Sequence, residues 1–191
     1  MSNYSAIAET GELLVKLLRE NLVPKVILNS DSIGLCNPAD RGDYTLGVNL
    51  YDVRESEEMF PSGMRDRSVN EQKYPSKFMT LFYMVTVYSN SDLKYKAMEE
   101  QKIVGKVIQI LMDNNLLKNG QEHSNPARIE MLRISRDERG KIWSEYSVPY
   151  KLSLFYKVYP IEIESAKTRI ISRVRETEFT FKEQKGEMND E

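Results

Sequence analysis

Cys36, His123 and the aspartates Asp40, Asp43 and Asp52 are the residues whose types are suited to chemistry. Cys36 is the only cysteine and His123 the only histidine of 191 residues, so an intrachain disulfide, a Cys/His zinc cluster and a histidine-based triad each lack parts. His123 stands beside Ser124 and Asn125 in a polar stretch, as a solvated loop side chain does. Cys36 lies among Gly34, Asn37 and Pro38 with no cationic helix terminus in view, the setting of an unactivated thiol. Asp40, Asp43 and Asp52 are the residues that would serve a small metal-dependent enzyme, with carboxylate oxygens around a hard cation. Glu57/Glu58 and Glu99/Glu100 are adjacent pairs whose side chains diverge, which suits surface better than acid–base work. No glycine pattern matches a phosphate loop or a dinucleotide fingerprint, so no cofactor is expected.

Two segments have the composition of contact surfaces. The insert Glu55–Ser76 places Met64, Arg65, Arg67, Lys73 and Tyr74 near Met59 and Phe60, and Arg, Met and aromatic side chains are enriched at interfaces. At about twenty residues it is long for a connection in a compact domain. Farther on, Arg173, Arg175, Phe179 and Phe181 alternate along one side of a β-prone tail, a pattern suited to adding a strand to a sheet edge.

The elements that must position these segments centre on residues 77–115. From Phe78 to Tyr88 nearly every residue is apolar, aromatic or β-branched, which predicts a central strand covered on both faces, with Tyr83 and Tyr88 in the core rather than on a base-stacking platform. A helix follows, with Leu93, Ala97, Val104, Ile108 and Leu111 predicted to face the sheet. Gly105, which costs about 0.5–1 kcal/mol in mid-helix, is expected to mark the close passage of another backbone.

Before this unit, Ser5–Leu22 reads as a helix with Glu12 paired to Lys16, ended by Pro24. Lys25–Leu28 reads as a short strand, residues 29–43 as loop, and Tyr44–Arg54 as a half-buried strand paired with the central one. After it, Arg128–Ile134 is a strand, and Ser135 with Glu138 caps a short helix that buries Ile142 and Trp143. Tyr150–Ile163 is the last core strand, with Leu152, Leu154, Tyr156 and Val158 on one face, and its Pro160 demands an edge or a bulge. These elements make one α+β domain over 1–165: a mixed, mostly antiparallel sheet of about five strands with two long helices and one short one. Residues 166–191 form a charged extension, partly disordered or an interface strand.

The apolar fraction of 40% and charged fraction of 29% fit a soluble globular chain. A net charge of −2 gives no electrostatic reason to bind nucleic acid, and no apolar run approaches the ~20 residues of a membrane span, so neither partner is expected.

Four stretches in this order carry a resemblance: IAETGELLVKLLRENL; LGVNLYDVRES; KFMTLFYMVTVYSN with EEQKIVGKVIQILMDNN; and KIWSEYSVPYKLSLFYKVYPIEIES. Across residues 4–165 the sequence resembles the tail terminator, or cap, proteins of extracellular contractile injection systems of the antifeeding-prophage and virulence-cassette type, related in role to phage tail terminators. The resemblance implies a structural protein rather than an enzyme, a six-fold homo-oligomeric ring that ends the inner tube and contractile sheath. It would be assembled in the cytoplasm and released with the particle. An adaptor elsewhere in the same particle and the small metal enzyme are the alternatives. A closed ring needs two different complementary patches on each subunit, and the insert and the tail are expected to supply them.

Overall fold

The computed structural model describes residues 4–59, 63–89, 91–118 and 126–171. The first apolar stripe forms helix α1 (Ala6–Leu22), which buries Leu14, Leu18 and Leu22 and ends ahead of Pro24. On its outer side Lys16 reaches Glu20, 4.0 Å away, rather than the expected Glu12. Lys25–Leu28 is not the expected strand. The amides of Val26 and Ile27 both donate to the Leu22 carbonyl, so the chain turns there and Ile27 is buried by the turn.

The first strand arises inside the expected loop: β1 (Ile33–Leu35) runs parallel to β2 (Leu46–Glu55), with Ile33 opposite Leu46. Gly34 is required in β1 because the Tyr44 ring occupies the place a Cβ would take. The Arg19 guanidinium donates to the Ile33 carbonyl at 2.6 Å and ties this strand to α1.

A hairpin of β3 (Arg65–Ser68) and β4 (Glu71–Lys73) then precedes the central strand β5 (Lys77–Val87). Helix α2 (Leu93–Asp113) follows, then β6 (Leu116–Leu117), β7 (Ala127–Met131), α3 (Arg136–Ser144), β8 (Ser153–Ile163) and β9 (Thr168–Ile170). The six-stranded sheet has the order β1-β2-β5-β8-β7-β6, and β3-β4-β9 form a separate small sheet. All pairs except β1–β2 are antiparallel. The architecture is therefore the expected α+β domain with a mixed, mostly antiparallel sheet, widened to six strands by the short edges β1 and β6.

Strand β5 is covered on both faces, as its continuous apolar run requires. Leu81, Tyr83, Val85 and Val87 lie in the core with Leu14 and Leu18 of α1 and with Ile103 and Val107 of α2. Met84 and Tyr88 point the other way, into a smaller core with Phe155 and Trp143. Between β5 and β8 the register shifts from Met79↔Ile161 to Leu81↔Val158, a bulge that accommodates Pro160 inside an interior strand, so the proline marks a bulge rather than an edge. The capping box at α3 forms in full: Ser135 Oγ accepts from the Glu138 amide, and the Glu138 carboxylate accepts from the Ser135 amide at 2.8 Å.

The phase of α2 differs from the sequence reading. Its buried residues are Ile103, Val107, Ile110 and Leu111, whereas Leu93 is 91% exposed and Ala97 is exposed. The first two turns of the helix overhang the core. At Gly105 a Cβ would meet nothing within 4 Å, so among the described residues no backbone of this chain makes the close approach expected there. Gly105→Ala is accordingly expected to stabilise the isolated chain by about 0.5–1 kcal/mol, read as a higher urea midpoint at unchanged slope. A lower midpoint would contradict this.

Candidate assembly surfaces

Among the described residues, those of chemical type gather into no shared site. Asp52 accepts an ion pair from Arg54 at 2.7 Å, and among the described residues no three His, Cys, Asp or Glu side chains gather as metal ligands would. Asp40 and Asp43 thus do not join Asp52 in a site. Cys36 is half-buried, and burial pushes its thiol up to about 11 despite the opposing charge of Arg41, so it is protonated at neutral pH. His123 lies outside the described residues. Glu58 pairs with Lys157 at 3.3 Å. The Glu99 carboxylate accepts from the hydroxyls of Ser89 and Ser91, which hold it below the usual carboxylate range. Tyr83, Tyr88, Phe155 and Tyr156 are buried, so they form core and not a stacking platform, while Tyr150 is half exposed. Among the described residues no helix is long and apolar enough to cross a membrane.

The interface residues expected in the insert lie on or beside the small sheet. Arg65 and Arg67 are in β3, Lys73 in β4, Met64 just before the hairpin and Tyr74 just after it. The tail enters the same sheet: β9 pairs with β4, Ile170 opposite Glu71 and Thr168 opposite Lys73, and the Ile171 amide donates to the Asn70 carbonyl. Insert and tail therefore form one continuous surface as far as the tail is described. Arg173, Arg175, Phe179 and Phe181 lie beyond the described residues.

None of the residues of β3, β4 and β9 is buried, and Val69, Tyr74 and Ile170 are exposed apolar side chains on or beside it. A three-stranded sheet without a buried face gains little from the hydrophobic effect, so its attachment falls to polar contacts. Two ion pairs make that attachment, Arg65 to Glu162 at 3.1 Å and Lys73 to Glu164 at 2.6 Å, both crossing to the end of β8 or the segment after it.

The hydrogen bond from Lys73, reinforced by its charge, holds the Glu164 carboxyl below its ordinary value of 4.5. A carboxylate whose folded pKa is depressed contributes stability that is present above the unfolded value and lost as pH falls through the folded one. The small sheet is therefore expected to loosen below about pH 4.5, by roughly 0.5–1 kcal/mol given the partial exposure of the pair. Glu164→Gln should reproduce the loosening at neutral pH, as faster amide exchange over 65–73 and 168–170 with β5 unchanged. Unchanged exchange in the small sheet would refute it.

A second surface escaped the sequence reading, because Leu93 and Ala97 share the period of a core stripe. The overhanging turns of α2 expose Leu93, Tyr95 and Met98, and Leu28 stands exposed in the turn after α1. A depression of about 600 Å³ nearby is lined by Val26, Tyr95 and Met98, by Lys25, Lys102 and Lys106, and by Ser91 and Glu99. A third surface is a depression of about 740 Å³ where α1 meets β1, with Leu13 and Leu35 among Glu9, Glu12 and Glu20.

A family model described as the Pvc16 N-terminal domain matches residues 9–176. Comparison with curated proteins yields no match. Among solved structures, the chain is similar to the sheath/tube terminator of PVC, an extracellular contractile injection system, in its extended state. That likeness has a TM-score of 0.65 at 16% identity and covers 93% of this chain and 64% of the terminator. It is also similar to the tube-terminating cap of the anti-feeding prophage, with a TM-score of 0.59 at 16% identity, covering 90% of this chain and 60% of the cap. The chain thus spans slightly less than two thirds of the length of these two proteins, and at such identity the likeness is one of fold.

Proposed function

The chain belongs to the Pvc16 N-terminal domain family, and from that membership we propose that it is a structural cap, a subunit of a ring that closes the inner tube and contractile sheath of a phage-tail-like injection particle. The observation that carries this reading is that solved proteins sharing its fold over nine tenths of its length are a sheath/tube terminator and a tube-terminating cap. The scattered chemical residues support it, since the domain spends its exposed apolar and charged side chains on surfaces rather than on a shared pocket. The small sheet, with Met64, Arg65, Arg67, Lys73 and Tyr74, is the surface proposed to meet the last tube or sheath layer. The tail residues Arg173, Arg175, Phe179 and Phe181 would extend the same surface. Six copies, assembly in the cytoplasm and release with the particle complete the proposal.

Electron microscopy of particles made without the protein tests it. Tubes and sheaths of irregular length with open ends are expected. Particles of unaltered length and integrity would overturn the cap reading, and labelling of the baseplate end by added protein would replace it with the adaptor role.

A further inference from the structure

Helix α2 carries a stripe that its own fold leaves unused. Met98, Gly105 and Met112 follow each other at seven-residue steps, which drift by only about 20° per step, so they share one side of the helix. Met98 is 60% and Met112 67% exposed, and the open space at Gly105 lies between them. Lys94 and Lys102 flank Met98 at four-residue steps on that side. The nearby acid, Glu99, is turned onto Ser89 and Ser91 and does not oppose them. A methionine-rich, lysine-flanked stripe with a glycine at its middle suits close packing against an acidic apolar surface.

This chain has such a surface in the depression where α1 meets β1. Leu13 and Leu35 form its apolar floor, and Glu9, Glu12 and Glu20 stand around it. Of the cations there, Arg19 is turned inward onto the Ile33 carbonyl, and Lys16 is offset by Glu20, which leaves Glu9 and Glu12 as the acidic excess of the rim. We infer that the Met98–Gly105–Met112 stripe of one copy seats in the acidic α1–β1 depression of the next copy, a head-to-tail contact between two surfaces that share no residue. A contact of this kind closes into a ring where its rotation allows. The alternative of stripe against stripe would set Lys94 and Lys102 against their own copies, and like charges in register are repulsive. The inference rests on the ring-cap reading for its purpose. It also supplies two patches that differ, as a ring subunit needs, where the small sheet is a single patch among the described residues.

Two charge-reversed variants test the contact, Lys94→Glu/Lys102→Glu and Glu12→Lys/Glu20→Lys, with the mass of the purified chain followed by sedimentation over a range of concentration and salt. The wild-type chain is expected to self-associate, less tightly at high salt. Each variant alone should associate about tenfold or more weakly, because flanking pairs become repulsive. Their equimolar mixture should recover, since each then meets an opposite charge on both sides. Gly105→Leu, placed in open space and expected to fold, should also lose association while its circular dichroism is kept. Variants that associate like the wild type, a mixture that fails to recover, or a wild-type chain that stays a single copy throughout would each overturn the contact. The cap reading stands or falls separately, on the particle ends seen by microscopy.

Discussion

Leu81→Ala is expected to lower the unfolding free energy by about 3–5 kcal/mol, at the upper end of what a leucine truncation costs in a core that cannot collapse. Leu81 has no exposed surface and sits on β5, opposite Val53 of β2 and Val158 of β8. Both neighbouring strands are hydrogen-bonded to β5 and α1 with α2 cover the same face, so the site has little freedom to close around a void. For a chain of this length the loss corresponds to a melting temperature lower by roughly 6–20 °C. Leu93→Ala is the control. Its side chain is 91% exposed, and its replacement should leave stability within about 0.5 kcal/mol. Equal effects of the two substitutions in urea titrations would mean that the overhang of α2 is not as described.

Strand β5 was legible because a run of eleven residues with both faces apolar has few homes other than the middle of a covered sheet. The α3 cap was legible for a similar reason: Ser135 and Glu138 specify their partners by local geometry alone. Strand β1 was not, since three residues carry no readable period, and its pairing depends on β2 and on Arg19 from fourteen residues earlier. Lys25–Leu28 misled because burial of Ile27 by a turn leaves the same apolar signal as burial by a strand. In α2 the apolar residues Leu93, Met98, Val104, Ile108 and Met112 continue the buried stripe of Ile103, Val107, Ile110 and Leu111 around most of the helix, so period alone left open which side meets the sheet.

The insert reads as a composition and not as a shape. Arg65 and Lys73 were identified by type, yet their partners Glu162 and Glu164 lie 97 and 91 residues away, a distance that side-chain patterning does not bridge. The pairing of β9 with β4 is of the same long-range kind, and it places Thr168–Ile170 beside the insert. The charge at the α1–β1 depression was invisible for the same reason: Glu9, Glu12 and Glu20 become a rim only once Leu35 is placed beside Leu13.

The second large effect is expected at Trp143. Helix α3 has nine residues, and Trp143 is the one among them that is buried, at 2% exposure. It joins Met84, Tyr88 and Phe155 on the sheet face opposite α1 and α2, with Tyr150 edge-on at 5.8 Å and Tyr146 at 6.3 Å. Removing the indole takes away most of the apolar area that holds α3, and the capping box, at about 1 kcal/mol, cannot keep so short a helix formed in water. Trp143→Ala should therefore cost about 3–5 kcal/mol, and the loss should be uneven. Amide protection over 136–144 is expected to vanish, while α1 and α2, whose core is on the other face, and β5, which is anchored in that core as well, keep theirs. Trp143→Phe, which preserves a ring in the same place, should fall between. The two cores would have to be one cooperative unit if protection were lost evenly across the chain. In that event α3 could not open without α1 and α2 loosening with it.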